Sequence, residues 1–180
     1  MTVKGYLAIL SILVLFFDAQ IVFASSAQAV WSGEVRPVDN QEYRDECGAC
    51  HFAYHPGLLP ARSWKQIMLN LQNHFGEDAD IDNTIKARLL KYLSEFGAIE
   101  NSPYGRERII AKSLSSNDVP ARITDLKYIK HEHEDLTRKM VVDNVKVKSL
   151  ANCNVCHTTI TSGSFAEDKI VIPGHGAWED

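Results

Sequence analysis

Two copies of one pentapeptide constrain this 180-residue chain more than any other feature: Cys47-Gly48-Ala49-Cys50-His51 and Cys153-Asn154-Val155-Cys156-His157. Together they use all four cysteines. Cys-x-x-Cys-His is the attachment signal for c-type haem. Two thiols at this spacing reach the two vinyl groups on one edge of the macrocycle and form thioether bonds. The adjacent histidine then rises over the ring face to take one axial position on iron. Covalent attachment holds a flat apolar cofactor in a small protein whose own core is modest.

Three other readings of four cysteines compete. Two disulfides are the default in an exported chain, but they leave the repeated histidine without a reason. A zinc site made from two Cys-x-x-Cys pairs is chemically sound. It needs no histidine after each pair, however, and exported proteins rarely keep four free thiols. A thioredoxin-like dithiol needs a strand–helix unit around one pair, and none is evident. Two haems account for every cysteine and for both histidines.

Export itself is read from the N-terminus. Lys4 supplies a positive end, Tyr6 to Phe17 is an apolar run with Ser11 as its one polar residue, and Ala27-Gln28-Ala29 offers small residues for cleavage. That order marks a secretory signal peptide over residues 1–29. The run is short of the roughly 20 apolar residues of a membrane span, and Asp18 interrupts it. Membrane association is expected only if this segment is retained as an anchor. Lys4 and Asp18 leave together, so the net charge of −4 is unchanged by cleavage. A mildly acidic chain without a basic stretch gives no support for nucleic-acid binding.

The apolar spacing is helical. Trp64, Ile67, Met68, Leu71, His74 and Phe75 fall on one face of a helix starting at Pro60 and stopping at Gly76. A second helix is expected from about Asp82 to Phe96, followed by Gly97. Residues 98–124 read as a connector, with a short helix near Arg108 to Leu114. A third helix covers about Asp125 to Leu136, and Lys169 to Ile172 is a short extended piece ending at Pro173. Met140 to Val147 fits either an extended or a helical form. Residues 30–46 lack periodicity and read as a leader.

His51 and His157 are the proximal ligands implied by the motif. The opposite ligand sets the chemistry: methionine raises the potential, histidine lowers it, and an open position admits small ligands. The candidates are His55, His74, His131, His133, His175, Met68 and Met140. His74 continues the apolar face of its helix and is assigned to the first haem; Met68 shares that face as packing. His133 continues the stripe of Leu126, Ile129 and Leu136, whereas His131 falls on the polar side near Glu134 and Asp135. His133 is therefore assigned to the second haem, with His175, expected to be exposed, as its main rival. His55, four residues past His51, has trouble reaching the far face of the same haem and is expected at the surface or on a propionate. Arg62 is either a propionate partner or a solvated cation, and Trp64 is expected to pack rather than relay electrons.

These residues resemble the dihaem cytochrome c family of exported bacterial proteins. The resemblance rests on Cys47 to Tyr54, Pro56 to Trp64, Asn73 to Ala79, His133 to Leu136, Lys148 to His157 and Ile172-Pro173-Gly174. It implies a mostly α protein. A helical domain similar to class I cytochromes c, residues 30–115, is followed by a smaller haem-binding domain with few regular elements, residues 116–180. It also implies bis-histidine ligation, with His74 and His133 at the sixth positions, and electron transfer without bond chemistry on a substrate. The expected setting is the periplasm, with other redox proteins as donor and acceptor. The competing expectation is a peroxidase-like dihaem enzyme with one haem open to substrate.

Overall fold

A computed structural model describes residues 34–179, so the expected signal peptide lies outside the described residues. Six short helices and one two-stranded hairpin make up the regular structure among them: α1 (Gln41–Cys47), α2 (Ala61–Met68), α3 (Asn83–Glu95), α4 (Gly105–Lys112), α5 (Lys127–His131), α6 (Cys153–Cys156), β1 (Val171–Ile172) and β2 (Gly176–Ala177). The fold is mostly helical, as expected. None of the described helices is long and apolar enough to cross a membrane.

Helix α1 was not expected. Its sequence is polar, but the Asn40 side chain accepts the Tyr43 amide and caps the first turn. Tyr43 is the only side chain of α1 that is buried. One inward residue leaves no periodicity to read, yet it carries the helix straight into Cys47.

Helix α2 is shorter than its apolar spacing suggested. It ends at Met68, a 3₁₀ turn follows over Leu71–Asn73, and Phe75 and Gly76 then adopt left-handed conformations. Asn70, in a non-helical conformation, separates the two pieces. The expected helix to Gly76 is thus broken before His74. Helix α3 matches its expectation closely because Asp82 caps it, accepting the amides of Thr84 and Ile85. α2 packs against α3, and Trp64, Met68, Leu89 and Leu93 are buried there with Leu58 and Leu59. Full burial of each such side chain contributes about 2 kcal/mol, so this pair of helices anchors the first half.

The second half is held more by turns than by helices. α5 stops at His131, a 3₁₀ turn over Ile123–Asp125 precedes it, and Glu132 to Asp135 continue as turns. The expected helix to Leu136 is too long by five residues. Met140 to Val147, left undecided between two forms, consists of turns. β1 and β2 pair antiparallel, Val171 opposite Ala177 and Ile172 opposite Gly176, with Pro173 to His175 between them.

The halves are stitched together through backbone groups. The amides of Glu34 and Val35 both donate to the Gly163 carbonyl, at 2.8 and 3.0 Å. Gly163 has φ +77°, and a Cβ there would lie 2.1 Å from the Val35 carbonyl oxygen. Only glycine satisfies both demands.

Candidate haem sites

Each attachment motif sits at a helix terminus. Cys47 closes α1, whose C-cap is Gly48, and Cys153 opens α6, whose last residue is Cys156. All four thiols are unpaired. Burial pushes the Cys47 and Cys153 thiols up to about 11, with the Glu46 charge adding to the effect at Cys47. No group of three or more His, Cys, Asp or Glu converges among the described residues, so the two Cys-x-x-Cys pairs do not build a four-thiolate cage.

Opposite each motif histidine stands a second imidazole. The ring centroids of His51 and His74 are 6.1 Å apart, with planes inclined by 21°. Those of His133 and His157 are 6.0 Å apart, inclined by 75°. A metal–imidazole bond is about 2 Å, so two opposed ligating nitrogens lie about 4 Å apart and their ring centres about 6 Å apart. Both gaps therefore fit one iron with an imidazole on each side.

The ring nitrogens are oriented accordingly. His51 Nδ1 donates to the Phe52 carbonyl at 2.8 Å, and His133 Nδ1 donates to the Ile129 carbonyl at 2.7 Å. A carbonyl can only accept, so the proton is on Nδ1 and Nε2 keeps its lone pair for a metal. His157 is held neutral, its pKa lowered to about 4 by burial first and then by His133 and Arg106. Its Nδ1 is buried without a hydrogen-bond partner, and the Phe165 ring lies 5.0 Å away. Burial likewise lowers the His74 pKa, with the neighbouring His51 and Arg122 adding. The second gap opens into a cavity of about 310 Å³, lined by His133, Cys153, Cys156, His157, Phe165 and Ile172 among others.

The structure reaches the two distal histidines by a different route from the helical stripe. His74 lies in the turn after the 3₁₀ segment, its amide bonded to the Glu77 carbonyl at 2.7 Å. His133 lies two residues past the end of α5. His131 is exposed and paired with Glu134, 3.2 Å away. His175 is exposed in the hairpin turn, and Met68 is buried packing.

Two expectations need correction, and one residue was missed. His55 is not at the surface: it is 1 % exposed, with Nδ1 2.9 Å from the Arg36 carbonyl and Nε2 2.7 Å from the Ile160 carbonyl. Its partners lie 19 and 105 residues away in sequence, so no local pattern announces them. Arg62 is not a free solvated cation; it donates to the carbonyls of Asp118 (2.5 Å) and Ser115 (2.8 Å) in the connector. Arg106, not singled out by the sequence, lines the second cavity, pairs with Glu34 and with Glu132 (3.1 Å), and stacks on Phe165, 5.0 Å from its centroid. Trp64 packs as expected, its indole nitrogen donating to the Pro56 carbonyl at 2.7 Å.

A mostly helical fold with two haem-attachment motifs, each faced by an opposed imidazole pair, defines a small multihaem c-type cytochrome. The family model for dihaem cytochrome c matches residues 43–165, and the chain belongs to that family. It is similar to the diheme cytochrome type c of Shewanella baltica OS155, with 37% identity over 78% of this chain and 98% of that one, at a TM-score of 0.64. It is also similar to the diheme cytochrome c from Rhodobacter sphaeroides, with 36% identity over 73% of this chain and 100% of that one, at a TM-score of 0.63. No curated protein matches the chain significantly. The protein is accordingly an electron-transfer haem protein with two c-type haems.

Proposed function

We propose that this protein is a periplasmic electron carrier whose two haems are each closed by two histidines. Cys47 and Cys50 would hold the first haem, with His51 and His74 binding its iron. Cys153 and Cys156 would hold the second, with His157 and His133. The observation that carries this reading is the pair of imidazole gaps, 6.1 and 6.0 Å between centroids. When bound, each haem supplies an iron that shuttles between ferric and ferrous states. The protein's part is to fix both imidazoles, keep water from the iron and set the potential through burial and hydrogen bonds to the ligands. No substrate bond is made or broken under this reading, and donor and acceptor are other redox proteins. The N-terminal signal supports export to the periplasm.

Carbon monoxide tests it directly. The reduced protein as isolated is expected to bind none. His74→Ala and His133→Ala are each expected to open one haem to carbon monoxide and to leave the spectrum of the other unchanged. Binding by the unaltered protein would instead point to an enzyme with one open haem, and unaltered spectra in both variants would sink the ligand assignment.

A further inference from the structure

We infer that Tyr54 is the bonded electronic link between the two haem sites, its ring against the first site's His51 and its hydroxyl on the backbone that enters the second attachment motif. The inference rests on the electron-carrier reading above and specifies a route within it. The Tyr54 and His51 ring centroids are 5.0 Å apart, with planes 32° from parallel. The Tyr54 hydroxyl donates to the Ala151 carbonyl at 2.7 Å, a contact between residues 97 apart in sequence. Only Asn152 stands between Ala151 and Cys153, whose sulfur carries the second macrocycle. From imidazole to thioether, the route crosses one ring contact and one hydrogen bond; everything else in it is covalent.

The surroundings hold this link in place. The Tyr43 hydroxyl donates to the Tyr54 carbonyl at 2.7 Å, and Tyr43 is buried. Burial pushes the Tyr54 hydroxyl up to about 12, with Cys153 adding and Arg122 opposing. The two attachment loops also face a common cleft, lined by Cys50 and His51 from one and by Asn154 and Thr161 from the other.

Electron tunnelling decays more steeply across empty gaps than along bonded or hydrogen-bonded atoms, so a single side chain spanning both sites raises their electronic coupling. In the step, one electron leaves the ferrous iron of one site and arrives at the ferric iron of the other. No bond forms or breaks, and Tyr54 is neither oxidised nor deprotonated. The competing physical picture is direct passage between the two macrocycle edges, with Tyr54 as a mere tie between loops.

The test uses the intact holoprotein. One electron is injected by a flash-generated flavin radical, and its concentration-independent redistribution between the haems is timed. Tyr54→Phe keeps the ring and removes the hydrogen bond; Tyr54→Leu removes both. Redistribution is expected to slow several-fold in Tyr54→Phe and further in Tyr54→Leu, with both reduction potentials and both low-spin resonance signals unchanged. The parent rate in both variants would overturn the inference. So would a slower rate that tracks shifted potentials or a lost axial ligand, since Tyr54 would then be a positioning residue only. If the parent itself lacked two low-spin haems, the electron-carrier reading would fail before any variant was compared.

Discussion

His55 shows how much of this molecule's order depends on a single side chain that touches no iron. Its ring lies between the carbonyls of Arg36 and Ile160 inside the protein, and a neutral imidazole donates its single N–H to one of them. Replacing it with alanine removes a buried hydrogen bond to a carbonyl and opens a void, a loss of about 2–3 kcal/mol measurable by denaturant unfolding. The same ring gives the stability an acid limb. Burial lowers its pKa from 6.5, while the two carbonyls pull the other way and lose. On acidification the unfolded chain therefore takes up the proton first. Stability from this group is complete above 6.5 and falls away as pH drops through the folded-state value. Melting temperature against pH is expected to be flatter below 6.5 in His55→Gln than in the parent; equal slopes would remove His55 from the account. The histidines of the proposed sites were nominated from the sequence, two by the pentapeptides and His74 and His133 by the apolar spacing. His55 was not, because its importance lies in partners distant along the chain.

At the scale of elements, the chain's regular pieces are brief and its turns do much of the positioning. Gly163 is the clearest case, a left-handed residue whose carbonyl receives two amides from the N-terminal segment. Gly163→Ala adds a left-handed penalty of about 1 kcal/mol and a collision with backbone that cannot be relieved by a rotamer change, so the total is expected to exceed about 2 kcal/mol. Calorimetry of the haem-loaded variant checks this; an unchanged melting temperature would show that the N-terminal stitch is dispensable. Helix α3 was legible because a cap, an apolar stripe and a stop residue all agree over 13 residues. α2 and α5 were overestimated for a shared reason. Their apolar stripes continue into turns whose side chains also point inward, so spacing alone cannot mark where helix gives way to turn. That ambiguity sits beside the proposed distal ligands, where His74 and His133 each occupy a turn after a helical segment.

Across the whole molecule, Arg106 connects the N-terminal segment, α5 and the second haem pocket. It meets Glu34, the Tyr128 hydroxyl at 2.6 Å, Glu132 and the Phe165 ring that lies over His157. Both carboxylates are about a third exposed, so Arg106→Leu is expected to cost about 2 kcal/mol, below the roughly 4 of a fully buried pair. The two haem sites also differ from each other in a way that bulk stability does not report. In the first, the two facing imidazoles are 21° from parallel; in the second they are 75° apart, near perpendicular, and under the proposed ligation these angles would be those of the ligands on iron. Parallel rings donate into one iron π orbital more than the other and split the pair widely, which gives a rhombic low-spin resonance. Perpendicular rings donate about equally into both and leave them nearly degenerate, which gives a strongly axial signal with a large maximum g value. Electron paramagnetic resonance of the oxidised protein is therefore expected to show both kinds of signal in equal amounts. His74→Ala should abolish the rhombic one alone, and His133→Ala the axial one alone. Two rhombic signals would mean that the second pocket's rings turn toward parallel on binding iron. The hydrogen bond from His133 Nδ1 to the Ile129 carbonyl, 2.7 Å long, resists that rotation, because turning the ring would leave a donor and a carbonyl unpaired in a half-buried site.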